Sequence, residues 1–205
     1  MKRPPVAVLI PVKAPAVGKS RLDVPADLRP GLATAFALDT LLAASETAGV
    51  THVIVVTDDP GFAARCSHLG ITTVPDGDGL NDSLITAAAA VRTRHPDAVP
   101  VALCADLPCL RPQDLEAALQ QVVAGGSWFV ADADGTGTTL YAAPYDDFAP
   151  RFGTGSRVDH AASGAHEVVG DLPTLRRDVD DEGTLAQAVR LGLGPATREA
   201  VALLP

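Results

Sequence analysis

Val99-Pro100-Val101-Ala102-Leu103-Cys104-Ala105-Asp106-Leu107-Pro108 is an apolar run that ends in one carboxylate, a leucine and a proline. A run of this length without alternation predicts a strand buried on both faces of a sheet. Pro108 stops the strand, and Arg111-Pro112-Gln113-Asp114-Leu115 begins a helix. In open α/β sheets ligands sit beyond the carboxyl ends of the strands, which is where Asp106 falls. On position alone Asp106 reads equally as a loop cap or as a ligand-facing group. A second acidic cluster, Asp178-Val179-Asp180-Asp181-Glu182, tips the balance. Carboxylates from two segments meeting at one strand edge suit an oxygen-loving dication such as Mg²⁺.

Outward from this strand the pattern repeats. Residues 6–12 form a first buried apolar strand, and residues 29–48 a helix whose apolar side carries Leu32, Phe36, Leu38, Leu41 and Leu42. Strands are expected at 51–57, 70–74 and 127–131, and helices at 62–69, 81–94 and 113–123, with a helix from 181 to 191. Strand and helix alternate through short connections, which predicts a mostly parallel sheet covered on both faces. No internal repeat and no linker divides the chain, so residues 1–205 are expected to form one domain.

Composition narrows the partners. The 205 residues are 47% hydrophobic and 20% charged, an ordinary globular balance. A net charge of -9 argues against non-specific nucleic-acid binding, which needs a basic surface. Cys66, Cys104 and Cys109 form no C-x-x-C pair, so buried free thiols in a reducing cytoplasm are expected. Met1-Lys2-Arg3-Pro4-Pro5 precedes only a short apolar run, so no signal peptide is expected, and no apolar stretch reaches membrane-spanning length.

The chemistry-bearing residues lie in the loops. Lys13-Ala14-Pro15-Ala16-Val17-Gly18-Lys19-Ser20-Arg21 follows the first strand and carries three cations. A basic, Gly-containing loop there reads as a phosphate cradle or as solvated surface. It is not a complete P-loop, because Lys13 stands where that motif has its first glycine. Pro75-Asp76-Gly77-Asp78-Gly79-Leu80 misses the calcium-loop frame and instead feeds a helix N-terminus at Asn81-Asp82-Ser83, which could contact an anionic or polar ligand. Asp132-Ala133-Asp134-Gly135-Thr136-Gly137-Thr138 reads as an anion loop of N–H groups and hydroxyls, or equally as a hairpin turn. Arg151-Phe152-Gly153-Thr154-Gly155-Ser156-Arg157 opens a short helix with a hydroxyl beside a cation. His160, alone among these loops, reads as structural.

Taken together, Ile10-Pro11-Val12-Lys13, Gly18-Lys19-Ser20-Arg21-Leu22, Leu80-Asn81, Ala105-Asp106-Leu107-Pro108, Gly135-Thr136-Gly137-Thr138, Arg151-Phe152-Gly153 with Ser156, and Arg177-Asp178-Val179-Asp180 resemble one family. It is the CofC/FbiD guanylyltransferases of coenzyme F420 biosynthesis, within the MobA-like nucleotidyltransferases. The resemblance runs from about residue 6 to the C-terminus. It implies a three-layer α/β/α, Rossmann-like fold of the GT-A type. It also implies transfer of GMP from GTP to phosphoenolpyruvate, or to 2-phospho-L-lactate, with release of pyrophosphate. By the family pattern Lys13, Gly18, Lys19, Arg21 and Asn81 face the nucleotide, with Lys19, Arg21 and Asp106 catalytic. Asp106, Asp178 and Asp180 hold Mg²⁺, and Thr138, Gly153 and Ser156 hold the phospho-acid. A cytoplasmic monomer or homodimer that hands a labile product to the F420-forming transferase follows from the same likeness. Two other readings compete: a sugar-nucleotide or molybdopterin nucleotidyltransferase of the same fold, and a non-catalytic nucleotide-binding regulatory protein.

Overall fold

The computed structural model describes residues 4–13, 22, 24–122 and 125–204. Its elements run β1 (Val6–Pro11), α1 (Arg29–Glu46), β2 (Val50–Val56), α2 (Pro60–His68), β3 (Thr72–Val74), α3 (Leu80–Arg92), β4 (Val99–Leu103) and α4 (Pro112–Leu119). There follow β5 (Trp128–Ala131), β6 (Thr138–Ala142), α5 (Ser156–Ala162), β7 (His166–Glu167), α6 (Pro173–Arg176), α7 (Glu182–Leu191) and α8 (Pro195–Val201). They build one seven-stranded sheet in the order β3-β2-β1-β4-β6-β5-β7. β3, β2, β1 and β4 run parallel. β6 is antiparallel to both of its neighbours, β4 and β5. The sheet is therefore mostly parallel, as its apolar strands predict.

Each central strand is buried on both faces because its alternate side chains feed different cores. Val6, Val8 and Ile10 of β1 join Val101 and Leu103 of β4 under α1, α2 and α4. Ala7 and Leu9 join Ala102 under α3, with Leu84, Ala87, Ala88 and Val91 packed on them. Pro100 is tolerated inside a central strand for a reason of register. The Val99 N–H turns toward β1, bonding the Pro5 carbonyl, so position 100 faces the β6 side. Pairing with β6 begins only at Val101↔Ala142, so no ladder donor is missed.

The path of the chain fixes where a ligand can sit. From β1 it winds outward through β2 to β3, then returns to β4 on the other side of β1. The carboxyl ends of β1 and β4 thus flank the point where the strand order reverses, and a crevice opens there. Asp106 lies three residues past the end of β4. The helix expected over 113–123 is shorter, Pro112–Leu119. Among the described residues no helix is long and apolar enough to cross a membrane.

Candidate functional site

One backbone hydrogen bond joins the two acidic segments. The Val179 N–H donates to the Asp106 carbonyl at 3.0 Å. Asp178 and Asp180 flank Val179 and so come to the end of β4. The link is braced from α1, where the buried Thr40 hydroxyl accepts the Leu107 N–H at 3.1 Å and lies 3.1 Å from the Ala105 carbonyl. Burial, and then the charges of Asp106, Asp180 and Asp132, push the Asp178 carboxyl up to about 7. Four carboxylates therefore share one electrostatic environment. Asp181, in the same acidic run, has a different task. It caps α7, accepting the Thr184 N–H at 2.8 Å, and those bonds hold its carboxyl below the usual range.

A crevice that Asp106 helps to line has a volume of about 250 Å³; Pro11, Val12, Lys13, Leu80 and Cys104 are among its other walls. Lys13 is exposed at its β1 side. Gly18, Lys19 and Arg21, expected on the nucleotide, lie outside the described residues. Asn81 uses both atoms of its amide on the Phe152 backbone: Nδ2 donates to the carbonyl at 3.0 Å and Oδ1 accepts from the N–H at 2.8 Å. It thereby fastens the start of α3 to the loop that carries Gly153.

On the far side of β4, residues 132–137 form the hairpin turn between β5 and β6, the less chemical of the two readings of that stretch. The Asp132 carboxylate accepts the N–H groups of Thr136 and Gly137 at 2.9 and 2.7 Å. A methyl on Gly137 would collide with that carboxylate, so a larger residue there would displace the Asp132 side chain from the two N–H groups it holds. Two of the backbone donors expected to meet an anion are thus already engaged. What the hairpin offers is the Thr138 side chain, whose Oγ1 lies 3.0 Å from His160 Nδ1. His160 Nε2 in turn accepts the Arg151 N–H at 2.9 Å. The imidazole bridges Thr138 to the loop containing Gly153, whose φ of +144° is a glycine conformation, and Ser156, the buried first residue of α5. It is enclosed by Phe129, Tyr141 and Phe152. Burial pushes its pKa down to about 4, so it is neutral at physiological pH.

The structure therefore brings together Asp106, Asp178 and Asp180 at one edge, and Thr138 and the 151–156 loop at another. Sequence reasoning missed Thr40, Asp132 and the bridging role of His160. A histidine four residues after Ser156 on a predicted helix places both on one face, and that was the available signal.

Comparison with known proteins adds an independent line. The MobA-like NTP transferase domain matches residues 32–152. The chain is 48% identical over 204 residues to a phosphoenolpyruvate guanylyltransferase of Thermomonospora curvata, covering 97% of this chain and 90% of that one. It is 47% identical to one of Streptomyces scabiei, covering 96% of each. Among solved structures, a nucleotide-diphospho-sugar transferase from Desulfovibrio desulfuricans superposes with a TM-score of 0.62 at 16% identity, covering 95% of this chain and 97% of that one. At that identity the likeness concerns the fold alone.

Proposed function

The chain belongs to the MobA-like nucleotidyltransferases, in the family of the phosphoenolpyruvate guanylyltransferases, and we propose that it transfers the GMP unit of GTP to phosphoenolpyruvate. A phosphate oxygen of the acid attacks the α-phosphorus in line. A P–O bond forms, the α–β phosphoanhydride bond breaks, and pyrophosphate leaves. The acceptor is already anionic, so no protein nucleophile is needed, and catalysis reduces to alignment and charge neutralisation. The observation that supports this reading is the Val179–Asp106 hydrogen bond, which draws the Asp178–Asp180 segment to the end of β4, where Asp106 lines the crevice at the sheet's reversal point.

Asp106, Asp178 and Asp180 fit Mg²⁺ by donor chemistry, since all three offer hard carboxylate oxygens. Among the described residues no group of three or more is arranged to hold an ion by itself. Mg²⁺ in such sites is usually held by one or two carboxylates together with substrate phosphates. When bound, Mg²⁺ neutralises charge on the triphosphate. Lys13, Lys19 and Arg21 supply further cations to the phosphates, with Gly18 among the nucleotide-binding residues. Thr138, Gly153 and Ser156 receive the phospho-acid, and the product serves coenzyme F420 formation in the cytoplasm.

Pyrophosphate release tests the reading. With GTP and Mg²⁺, release is expected to require phosphoenolpyruvate and to stop in excess EDTA. Release without the acid, or full release in EDTA, contradicts it.

A further inference from the structure

We propose that His160 is a positioning residue that fixes the Thr138 hydroxyl as a hydrogen-bond donor toward the phospho-acid. The proposal deepens, and rests on, the acceptor reading above. One group in this chain of contacts has a role that cannot change. A backbone N–H only donates, and the Arg151 N–H meets His160 Nε2 at 2.9 Å. Nε2 must therefore offer its lone pair. A neutral imidazole carries one proton, so that proton sits on Nδ1. Nδ1 faces Thr138 Oγ1 at 3.0 Å, and Nδ1–H donates while the hydroxyl oxygen accepts. The hydroxyl's own proton is then excluded from the ring and must find another acceptor.

That polarity suits the ligand. A phosphate or carboxylate oxygen accepts and does not donate, so a hydroxyl locked as a donor discriminates for an anion. The opposite tautomer would set two N–H donors against each other at Arg151. A doubly protonated ring would do the same and would bury a charge among Phe129, Tyr141 and Phe152. The charged neighbours that act on the ring are Arg151, which opposes protonation, and Asp159, which favours it. The Ser156 backbone, as a hydrogen-bond acceptor, also favours the proton-bearing ring; the single Nδ1–H is then shared between it and the Thr138 oxygen, and the hydroxyl proton stays excluded from the ring. The same bridge ties β6 to the 151–156 loop, joining the two halves of the acceptor site through one side chain.

Two measurements test this. The first uses ¹⁵N-histidine-labelled protein, free of ligand, at pH 7, with the His160 signal assigned among the five histidines by its loss in His160→Gln. Long-range ¹H–¹⁵N correlation is expected to show a protonated Nδ1 and an unprotonated Nε2. A protonated Nε2, alone or with Nδ1, overturns the proposal. The second is steady-state kinetics. In His160→Gln the amide reaches the place of Nε2, where its oxygen can still accept the Arg151 N–H, while the place of Nδ1 facing Thr138 is left empty. The KM for phosphoenolpyruvate is expected to rise about tenfold or more, while the KM for GTP changes less than about twofold. Thr138→Val is expected to give a similar rise, and the double variant little beyond either single one. An unchanged KM for phosphoenolpyruvate in His160→Gln, or additive losses in the double variant, overturns the positioning role. Wild-type protein that turns over GTP without using the acid overturns the acceptor reading instead, and the tautomer measurement stands apart from that result.

Discussion

Asp178 carries an electrostatic load that a dication would relieve. Its carboxyl titrates at about 7, against 3.8 for the ordinary group, because it is buried beside Asp106, Asp180 and Asp132. A folded-state pKa raised in this way means that the native protein binds the proton more tightly than the unfolded chain. The contribution to stability is present in full below pH 4 and is lost as pH rises through 7. His160 has the reverse sign: with a folded pKa of about 4 against 6.5, its contribution is present above pH 6.5 and is lost as pH falls through 4. Asp178→Asn is therefore expected to raise the Tm of metal-free protein at pH 8, and to leave the His160 slope uncovered between pH 4 and 6.5. Thermal unfolding across that range checks it, and a lower Tm for Asp178→Asn at pH 8 contradicts it. Asp106→Asn keeps the shape of the side chain and removes its charge. Turnover is expected to fall on the order of 10²-fold or more with folding retained, as circular dichroism alongside pyrophosphate release would record. Asp106 was legible as a candidate because it ends an apolar run and a second acidic cluster follows at 178–182; its position alone reads equally as a loop cap. His160 was not legible as a bridge, since its partners are a backbone N–H and a hydroxyl 22 residues away.

At the scale of elements, the C-terminal helix is tied back to the site by a buried carboxylate. Asp39 lies on the inner side of α1, only 5% exposed, and accepts the N–H groups of Ala196 and Thr197 at 3.0 and 2.8 Å. The first turn of α8 is thus satisfied from another helix rather than by its own cap. The Gly194 N–H bonds the Pro108 carbonyl at 2.8 Å, directly after the Asp106 segment. Asp39→Ala leaves the α8 donors without their acceptor and is expected to cost about 1–3 kcal/mol in urea unfolding. Gly194→Ala is expected to be as damaging, because the added methyl would occupy the space of the Asp39 carboxylate. A loss of less than half a kcal/mol, to order of magnitude, in both variants would contradict this account of the clamp. Neither residue announces itself in the sequence. An aspartate within a helix normally reads as exposed, and only the tertiary contact reverses that expectation.

Across the whole molecule, the strands that pair in parallel were readable because β1, β2 and β4 carry continuous apolar runs. β6 was harder: Thr138-Thr139-Leu140-Tyr141-Ala142 continues a Gly/Thr loop without a break in composition. Its insertion between β4 and β5 is a matter of long-range pairing, which local pattern does not encode. β7 is two residues long and leaves no periodic signal. The consequence for function is that the proposed acceptor half of the site, built on β6 and α5, is less visible in the sequence than the half at β1 and β4. Which acid is taken is proposed to be decided in that half. The direct measurement offers GTP, Mg²⁺ and equal amounts of phosphoenolpyruvate and 2-phospho-L-lactate in one reaction, coupled to the F420-forming transferase and its deazaflavin acceptor. Mass spectrometry of the coenzyme precursor then reads which acid was taken. A precursor carrying mainly the dehydro, enolpyruvyl linkage is the predicted result; a mainly saturated linkage, or no precursor at all, would contradict it.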